Sequence, residues 1–316
     1  MPPAPAIQTV DLTRRFGDKT AVDGVNLVVR SGEIYGFLGP NGAGKSTTVR
    51  MLTTLLAPSA GDAIVAGHSV VTQADDVRLN IGVALQEAAL DPKQTGRELL
   101  DMQGRLYGLD KAQRAARVDA LLKLVDIGDA IDEYVRTYSG GMKRRLDLAA
   151  ALVHQPRVLF LDEPTTGLDP VSRAKVWEEV RWLNRELGMT IFLTTQYLEE
   201  ADELADRVGI IDHGRIVAEG TPEDLKRSIG DDVIVARVNE PGECFVAGLS
   251  AIHGVTNVEI GGDEIVVSAT NGAGVVSEVA VTLRDAGATV ASLTLRTPSL
   301  DDVFLHATGN RMEPTK

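Results

Sequence analysis

A glycine-rich segment directly after a short apolar run is the feature that most limits what this 316-residue chain can fold into. The run at residues 34–38 reads as a buried strand, and residues 39–47 continue it with the sequence GPNGAGKST. Glycines at such a turn let successive backbone N–H groups point at phosphate oxygens. The sequence therefore predicts a loop that binds a nucleoside triphosphate, with a glycine-rich turn between a strand and a helix as the alternative.

Every residue of this loop is predicted to contact the triphosphate. Lys45 is expected to neutralise charge on the β- and γ-phosphates, and the Ser46 hydroxyl to ligate Mg²⁺. A helix is predicted over residues 47–56, behind the loop. The residues predicted to contact the nucleotide are Gly39, Pro40, Asn41, Gly42, Ala43, Gly44, Lys45, Ser46 and Thr47.

Composition limits the classes of protein that can contain the loop. The length suits a larger domain joined to a smaller one. Apolar runs are short, as at residues 158–161, whereas a membrane-spanning helix needs roughly 18 apolar residues. A net charge of −13 argues against a protein that coats nucleic acid, because phosphate backbones require surplus Lys and Arg. Cys244 is the only cysteine and the N-terminus lacks a secretory pattern, so we expect a reducing cytosol.

The segment ahead of the loop is predicted to form antiparallel strands. Residues 8–30 alternate short polar and apolar runs, which Gly-Asp and Asp-Gly pairs interrupt. Phe16 is a candidate for stacking on the adenine, because an aromatic ring offers a face to any base. Val22 is its predicted apolar neighbour. The alternative is that both side chains belong to the core.

Two carboxylates follow an apolar run in the middle of the chain. Residues 158–161 read as a buried parallel strand, and Asp162 and Glu163 come directly after it. Ligands of open α/β sheets bind at the carboxyl ends of the strands. We therefore expect Asp162 to hold Mg²⁺ and Glu163 to polarise the water that attacks the γ-phosphorus. The alternative is an acidic turn that ends at Pro164.

A Ser-Gly-Gly turn opens a further predicted helix and forms a second candidate phosphate site. Free N–H groups and the positive end of the helix dipole both attract anions there. The first loop is expected to surround one side of the triphosphate. This turn could therefore bind the triphosphate only from another side. On physical grounds alone, a helix cap made by the serine hydroxyl is the simpler interpretation. The residues of this turn are Ser139, Gly140, Gly141 and Met142.

In combination, these segments resemble the ATP-binding cassette of ABC transporters. The residues that match are the loop at 39–47, Gln86, the turn at 139–142, residues 161–164 and residues 167–169. The resemblance covers about residues 6–222. It implies an α/β fold, the P-loop NTPase cassette, with a mixed sheet core, an antiparallel β subdomain and a helical subdomain at about residues 87–155.

The same resemblance implies how the nucleotide sites assemble. In the family, two cassettes sandwich two ATP molecules, so that each phosphate loop faces the Ser-Gly-Gly turn of the other subunit. A homodimer is therefore expected. By the same resemblance, Asp169 would lie at the dimer seam and Gln86 would contact Mg²⁺. From the residues alone, Gln86 simply ends a strand predicted over residues 81–85.

Within the family, the chain is most similar to drug-resistance exporters of the daunorubicin and doxorubicin type. The stretches that carry this likeness are residues 86–98, residues 194–202 and the C-terminal tail. Most cassettes have a histidine at the position of Gln196, where the imidazole contacts the γ-phosphate. A glutamine amide can still donate a hydrogen bond to phosphate, but it does not titrate near neutral pH. We expect Gln196 to sense the γ-phosphate while hydrolysis persists; a site that only binds ATP is the alternative.

The pattern changes after residue 222, where a small α+β domain is predicted over residues 226–310. Helical spacing is present at residues 274–286, and Ser299 is expected to cap a final helix. The tail resembles the C-terminal extension of drug-exporter ATPases, which implies a role in assembly, with a regulatory ligand pocket as the alternative. The predicted strands are the Val- and Ile-rich runs at 233–238, 255–260, 264–269 and 289–295.

These predictions together indicate an ATP-hydrolysing subunit that drives export of a drug or another hydrophobic small molecule. Without membrane spans of its own, the chain would need a separate multi-spanning permease and would lie peripherally at the cytoplasmic face of the cell membrane. No direct nucleic-acid partner is expected. The alternative is a soluble cassette ATPase that acts as a sensor, an immunity component or a factor associated with nucleic acid or ribosomes. Trp177 and Trp182 are interpreted as packing residues of the helix after Pro170.

Overall fold

The computed structural model describes residues 4–85, 90–124, 127–239, 242–262 and 264–309. The chain divides between Pro222 and Glu223 into a larger and a smaller compact unit. Among the described residues, no helix is long and apolar enough to cross a bilayer.

The larger unit alternates strands and helices along most of its length. Its described strands are β1 (Ile7–Phe16), β2 (Lys19–Val25), β3 (Val28–Val29), β4 (Ile34–Leu38), β5 (Ala60–Val65), β6 (His68–Ser69), β7 (Ile81–Ala84), β8 (Val158–Asp162), β9 (Thr190–Thr195), β10 (Arg207–Asp212) and β11 (Arg215–Gly220). Its described helices are α1 (Lys45–Leu52), α2 (Ala74–Asn80), α3 (Gly96–Leu106), α4 (Lys111–Leu124), α5 (Gly140–Leu152), α6 (Pro170–Leu187) and α7 (Leu198–Leu204).

A six-stranded sheet forms the centre of the larger unit, in the order β11-β10-β4-β9-β8-β7. All neighbours in it pair in parallel except β10 and β11. Strands β4, β8 and β9 are buried along their whole length, as expected for parallel strands covered on both faces. The mixed sheet predicted from the sequence is confirmed.

A five-stranded antiparallel sheet contains β2, β1, β5 and β6 in that order, with β3 also paired to β1. It confirms the antiparallel subdomain predicted ahead of the phosphate loop. The helix after the loop was predicted to reach residue 56 but ends at Leu52. Thr54 adopts the left-handed conformation, with φ of 61°, which does not continue an α-helix.

Aromatic packing holds the central strands together. The fully buried Phe192 ring on β9 lies 5.6 Å from the rings of Tyr35 and Phe160 and 5.5 Å from that of Phe37, measured between centroids. These separations fall in the range that favours offset or tilted aromatic pairs. One ring on β9 therefore joins the strands on both sides of it.

Three of the helices, α3, α4 and α5, lie between β7 and β8 in the chain and pack on one another. Thr95 and Glu98 form a capping box at the start of α3. On α6, Trp177 packs against the core as predicted. The packing prediction was wrong for Trp182, which faces solvent with 43% of its surface exposed.

The smaller unit contains one antiparallel sheet in the order β13-β14-β12-β15. Together with α9 and α10, these strands follow each other as β-α-β-β-α-β, the order of the ferredoxin-like split β-α-β motif. Ser299 caps the last helix in a capping box with Asp302, as predicted. The described elements from the boundary onward are α8 (Pro222–Arg227), β12 (Asp232–Val238), α9 (Val246–Ser250), β13 (Val255–Gly261), β14 (Glu264–Ala269), α10 (Gly272–Asp285), β15 (Val290–Arg296) and α11 (Leu300–Thr308).

Removing the central aromatic ring is expected to destabilise the larger unit. We predict that Phe192→Ala lowers its free energy of unfolding by roughly 3–5 kcal/mol, because the ring leaves a cavity among its aromatic neighbours. Calorimetric unfolding measures the effect. Val171→Ala, at an exposed position, is the control and should change stability by less than about 0.5 kcal/mol. Equal effects of the two substitutions would contradict the central role of Phe192.

Candidate functional site

The glycine-rich loop connects β4 to α1 in a conformation that requires glycine at two positions. Gly44 has φ of 113°, and a Cβ atom there would lie 2.6 Å from the carbonyl oxygen of Ala21. A Cβ atom at Gly39 would lie 2.3 Å from the carbonyl oxygen of Ile211. The loop then opens α1, whose first N–H groups have no partner within the helix. This is the geometry that binds phosphate at helix N-termini.

Lys45 lies inside the loop and is almost fully buried. Its Nζ atom donates to the carbonyl oxygens of Gly39 at 2.8 Å and Pro40 at 3.1 Å. It also forms an ion pair with Glu163 Oε1 at 3.2 Å. Burial lowers the pKa of Lys45, and the carboxylates of Glu163 and Asp162 partly offset that shift. The structure thus brings the loop lysine and the two predicted carboxylates together.

Asp162 places a carboxylate oxygen beside the loop serine. Its Oδ1 atom accepts hydrogen bonds from Ser46 Oγ at 3.3 Å and from Thr194 Oγ1 at 2.5 Å. Mg²⁺ prefers oxygen ligands, commonly one or two carboxylates together with phosphate oxygens. The hydroxyl of Ser46 and the carboxylate of Asp162 therefore fit a magnesium ion. Sequence reasoning missed Thr194, although polar residues at the end of an apolar strand are a usable signal.

Glu163 is held in an unusual backbone conformation. Its φ is 49°, in the left-handed region that few residues other than glycine adopt. Its N–H group donates to both the carbonyl oxygen and the Oγ1 atom of Thr194, at 3.1 and 3.0 Å. Its Oε2 atom accepts a hydrogen bond from Thr166 Oγ1 at 3.3 Å. Strain of this kind persists only when surrounding contacts hold it, and it concentrates at functional sites.

Gln196 follows β9 directly, next to the phosphate loop. Parallel pairing sets Thr195 opposite Leu38, the last residue of β4. The N–H group of Gly39 donates to the carbonyl oxygen of Thr195 at 3.3 Å. Strand β8 pairs with the other side of β9. The loop, the carboxylates and Gln196 therefore all lie at the carboxyl ends of three adjacent parallel strands.

Phe16 lines the same pocket as the loop and is 48% exposed. The Arg14 guanidinium stacks on its ring at 4.6 Å from the centroid, a cation–π contact that orients the ring. Val22 is fully buried in the core, and the structure does not place it in the pocket. Ala21 lines the pocket instead.

Ser139 and Asp169 both cap helices at exposed positions. Ser139 Oγ accepts the N–H hydrogen bond of Met142 at 3.2 Å and so caps α5. Asp169 Oδ1 accepts from the N–H groups of Val171 and Ser172 at 3.0 Å and caps α6. Hydrogen bonds from the hydroxyl and N–H groups of Ser172 lower the pKa of Asp169. Within one chain both residues cap helices, and their roles between subunits stay predictions.

Gln86 lies outside the described residues. The carbonyl oxygen of the preceding Leu85 accepts a hydrogen bond from Arg144 Nη1 at 2.6 Å. Leu85 also lines a cleft of about 320 Å³, together with Leu55, Leu99 and Tyr107. The cleft therefore lies between the core sheet and the helices α3 and α5.

Asp147 supplies a partly desolvated carboxylate to the same cleft. Its side chain is 14% exposed, and its Oδ2 atom lies 3.6 Å from Arg144 Nη1. Burial raises the pKa of Asp147 to about 6, although the nearby arginine opposes the shift. Sequence reasoning missed this residue because nothing in the helical pattern of α5 shows that it faces a cleft.

Comparison with known proteins shows which family the chain belongs to. A model of the ABC transporter family matches residues 22–166, and a model of the DrrA1-3-like ATP-binding protein C-terminal domain matches residues 220–308. The chain is 50% identical to the daunorubicin resistance ATP-binding protein DrrA3 of Streptomyces coeruleorubidus, over 96% of each chain. The chain belongs to the ABC transporter ATP-binding family. It is an ATP-binding protein and an ATPase of that family, in the branch that contains the drug-resistance ATP-binding proteins.

A further relative and a solved structure are similar to this ABC protein at lower sequence identity. It is 36% identical to the linearmycin resistance ATP-binding protein LnrL of Bacillus subtilis, over 97% of this chain and 99% of that one. The structure of cbiO1 from Clostridium perfringens, part of an ABC transporter complex, superposes with a TM-score of 0.66 at 28% identity. That match covers 72% of this chain and 94% of cbiO1.

The raised pKa of Asp147 in this ABC protein predicts a pH-dependent stability. The folded chain binds the proton more tightly than the unfolded chain, whose aspartate pKa is near 3.8. Stability from this group is therefore present at low pH and is lost as the pH rises from about 4 to about 6. Asp147→Asn removes that loss. We therefore expect its free energy of unfolding at pH 7 to exceed that of wild type by on the order of 1–3 kcal/mol.

Urea denaturation of both chains between pH 4 and pH 7.5 measures the difference in their free energies of unfolding. Arg144 keeps its hydrogen bond to Leu85 in the variant, so the comparison isolates the carboxyl. Asp119→Asn, at an exposed position of α4, is the matched control and should follow wild type. A constant difference between Asp147→Asn and wild type across this pH range would contradict the assignment.

Proposed function

We propose that this protein is the ATP-hydrolysing subunit of an ABC-type exporter and drives efflux of a drug or another hydrophobic small molecule through a separate permease. The observation that carries the proposal is the convergence of three segments at neighbouring carboxyl ends of β4, β8 and β9. These segments supply the phosphate loop, the Asp162-Glu163 pair and Gln196. Positioned groups of this kind are what phosphoryl transfer requires.

In this proposal each group at the carboxyl ends of these strands has a separate role. Lys45 exchanges its ion pair with Glu163 for the phosphate oxygens of ATP. Ser46 and Asp162 would hold Mg²⁺, which would supply positive charge to neutralise the phosphates. Glu163, once free of the lysine, accepts a proton from the attacking water. The hydrogen bond from Thr166 Oγ1 helps to orient the Glu163 carboxylate.

Gln196 takes the position where most cassettes have histidine. Its amide donates a hydrogen bond to a γ-phosphate oxygen and so distinguishes ATP from ADP. An amide has no pKa near neutrality, so Gln196 itself neither gains nor loses a proton between about pH 5 and 8. The intact Glu163 supports hydrolysis rather than binding alone.

We further propose that two copies of the chain sandwich the nucleotides. Ser139 and Gly140 are exposed at the start of α5, where free N–H groups can bind the phosphate held by the partner subunit. Gly141 and Met142 continue that helix turn. Asp169 is exposed at the start of α6 and is proposed to lie at the seam between the copies.

The permease is proposed to dock at the cleft that Leu55, Leu85 and Tyr107 line. This surface combines apolar side chains with the Asp147 carboxylate, which suits an amphipathic segment from a membrane protein. The relatives are named as drug-resistance ATP-binding proteins, which supports export of a similar class of molecule. This arrangement places the chain peripherally on the cytoplasmic face of the membrane. A soluble ATPase without a transport partner is the alternative.

Replacing the proposed water-activating group should separate binding from hydrolysis. We expect Glu163→Gln to keep ATP affinity within about threefold and to lower kcat by roughly 10²–10⁴-fold, because a glutamine cannot accept the proton. In this variant, ATP is expected to convert the 33.7 kDa chain to a dimer, which light scattering after size exclusion measures.

The matched control is Glu186→Gln, which changes an exposed carboxylate on α6 and should keep wild-type turnover. Wild-type turnover in Glu163→Gln would refute the assignment of the water-activating group. A chain that stays monomeric with ATP in that variant would refute the sandwich.

The permease proposal predicts a specific loss of binding when the cleft is altered. Leu55 is 60% exposed and lines the cleft, so Leu55→Asp should fold but lose co-purification with a multi-spanning membrane protein from detergent-solubilised membranes. Leu187→Asp is the matched control, because this leucine is exposed but lines a different cavity. Co-purification that survives Leu55→Asp would refute docking at the cleft. Its absence in the wild type would favour the soluble alternative.

A further inference from the structure

Glu200 is a buried carboxyl that the proposed hydrolysis leaves without a role. It lies on α7 and has no exposed surface. Its Oε1 atom accepts a hydrogen bond from Trp177 Nε1, on α6, at 3.0 Å. Burial raises the pKa of Glu200, whereas the neighbouring hydroxyls of Thr195 and Thr165 and the N–H group of Trp177 lower it. A carboxyl in such a place is unfavourable unless neighbouring donors compensate for its burial.

Two of these donors come from the segments that carry the proposed catalytic groups. Thr165 lies two residues after Glu163, in the turn that follows β8. Thr195 is the last residue of β9 and immediately precedes Gln196. Glu200 therefore lies close to both the segment of Glu163 and the segment of Gln196.

The turn at Gln196 is held on both sides of the glutamine. Thr195 Oγ1 accepts the N–H hydrogen bond of Tyr197 at 2.9 Å. The Arg173 guanidinium lies over the Tyr197 ring at 4.7 Å from its centroid. Since the Thr195 hydroxyl accepts one bond, its single hydrogen is available to the Glu200 carboxyl. The Thr195 hydroxyl thus contacts the backbone that follows Gln196 and neighbours the Glu200 carboxyl.

The contact of Glu200 with Thr165 is incomplete. Glu200 Oε2 and Thr165 Oγ1 are both buried without a well-formed hydrogen bond. An unsatisfied buried polar atom typically costs about 1–3 kcal/mol. Both atoms therefore have unused hydrogen-bonding capacity in a buried place.

We propose that Glu200 is a positioning residue, which acts through the Thr195 hydroxyl to hold the Gln196 amide at the γ-phosphate and through Thr165 to tie it to the segment of Glu163. It touches neither ATP nor the attacking water. The inference rests on the proposed role of Gln196 as the γ-phosphate sensor. A group that acts in this way affects kcat more than the affinity for ATP.

A double-mutant cycle tests the proposal. Gln196→Ala and Glu200→Ala are each expected to lower kcat about tenfold, Glu200→Ala with the Kd for ATP changed less than about twofold, and the double variant should be no slower than either. Glu200→Gln should restore most of the turnover, because its amide can still accept from Trp177 and donate to a hydroxyl. Glu203→Ala, which removes an exposed carboxyl of α7, is the matched control.

The possible outcomes separate the two proposals. If the effects of the two single substitutions multiply, or if Glu200→Ala keeps wild-type kcat while Gln196→Ala is slow, the role of Glu200 is refuted and the sensor stands. Wild-type kcat in Gln196→Ala refutes the sensor and the inference that rests on it. Should Glu200→Ala fail to fold, Thr195→Val removes the bridging hydroxyl and enters the cycle in its place.

Fluorescence gives a second readout that does not depend on turnover. The chain has two tryptophans, so Trp182→Phe leaves Trp177 as the only one. We expect ATP with Mg²⁺ to change the emission of Trp177 in that background. Glu200→Ala should abolish the change, whereas Glu203→Ala should preserve it. A response that is absent from the Trp182→Phe parent, or that survives Glu200→Ala, counts against the proposal.

Discussion

The parallel pairing of β4, β9 and β8 is the constraint on which the site depends. Backbone hydrogen bonds set Leu38 opposite Thr195 and Asp162 opposite Thr194. A shift of one residue along either pair would turn these side chains to the other face of the sheet. The Phe192 ring packs against aromatic residues of both neighbouring strands and so favours this one register. The same packing that stabilises the sheet therefore aligns the loop, the carboxylates and the turn of Gln196.

The buried pair of Lys45 and Glu163 connects this architecture to the proposed chemistry. Their side chains are 3% and 6% exposed and lie 3.2 Å apart, so each compensates for the burial of the other. Removing one partner of such a pair typically costs about 3–5 kcal/mol. Lys45 can leave Glu163 only if another anion takes the place of the carboxylate. In the proposed function, phosphate oxygens do so, which makes release of the water-activating group depend on nucleotide binding.

Features encoded within one segment could be predicted from the sequence, and contacts between distant segments could not. The loop at 39–47, the strand before the Asp162-Glu163 pair and the cap at Ser299 follow from local spacing and residue type. Thr194 could not be assigned, because its bonds to Asp162 and Glu163 exist only once β8 and β9 are paired. The ferredoxin-like order of the smaller unit was missed for the same reason, since runs of valine and isoleucine do not specify which strands pair.

In the proposed function, a glutamine serves at the position where an imidazole is usual. An amide at position 196 adds no charge and no titration to a site already crowded with ionisable side chains. Burial raises the pKa of two carboxyl groups that lie outside the proposed nucleotide contacts, Glu200 on α7 and Asp147 in the cleft. In the proposals above, Asp147 lies at the docking cleft, whereas Glu200 acts on Gln196 only through neighbouring side chains. The pH-dependent stability near pH 6 that Asp147 predicts therefore belongs to the cleft between the core sheet and α5, and not to the proposed γ-phosphate contact of Gln196.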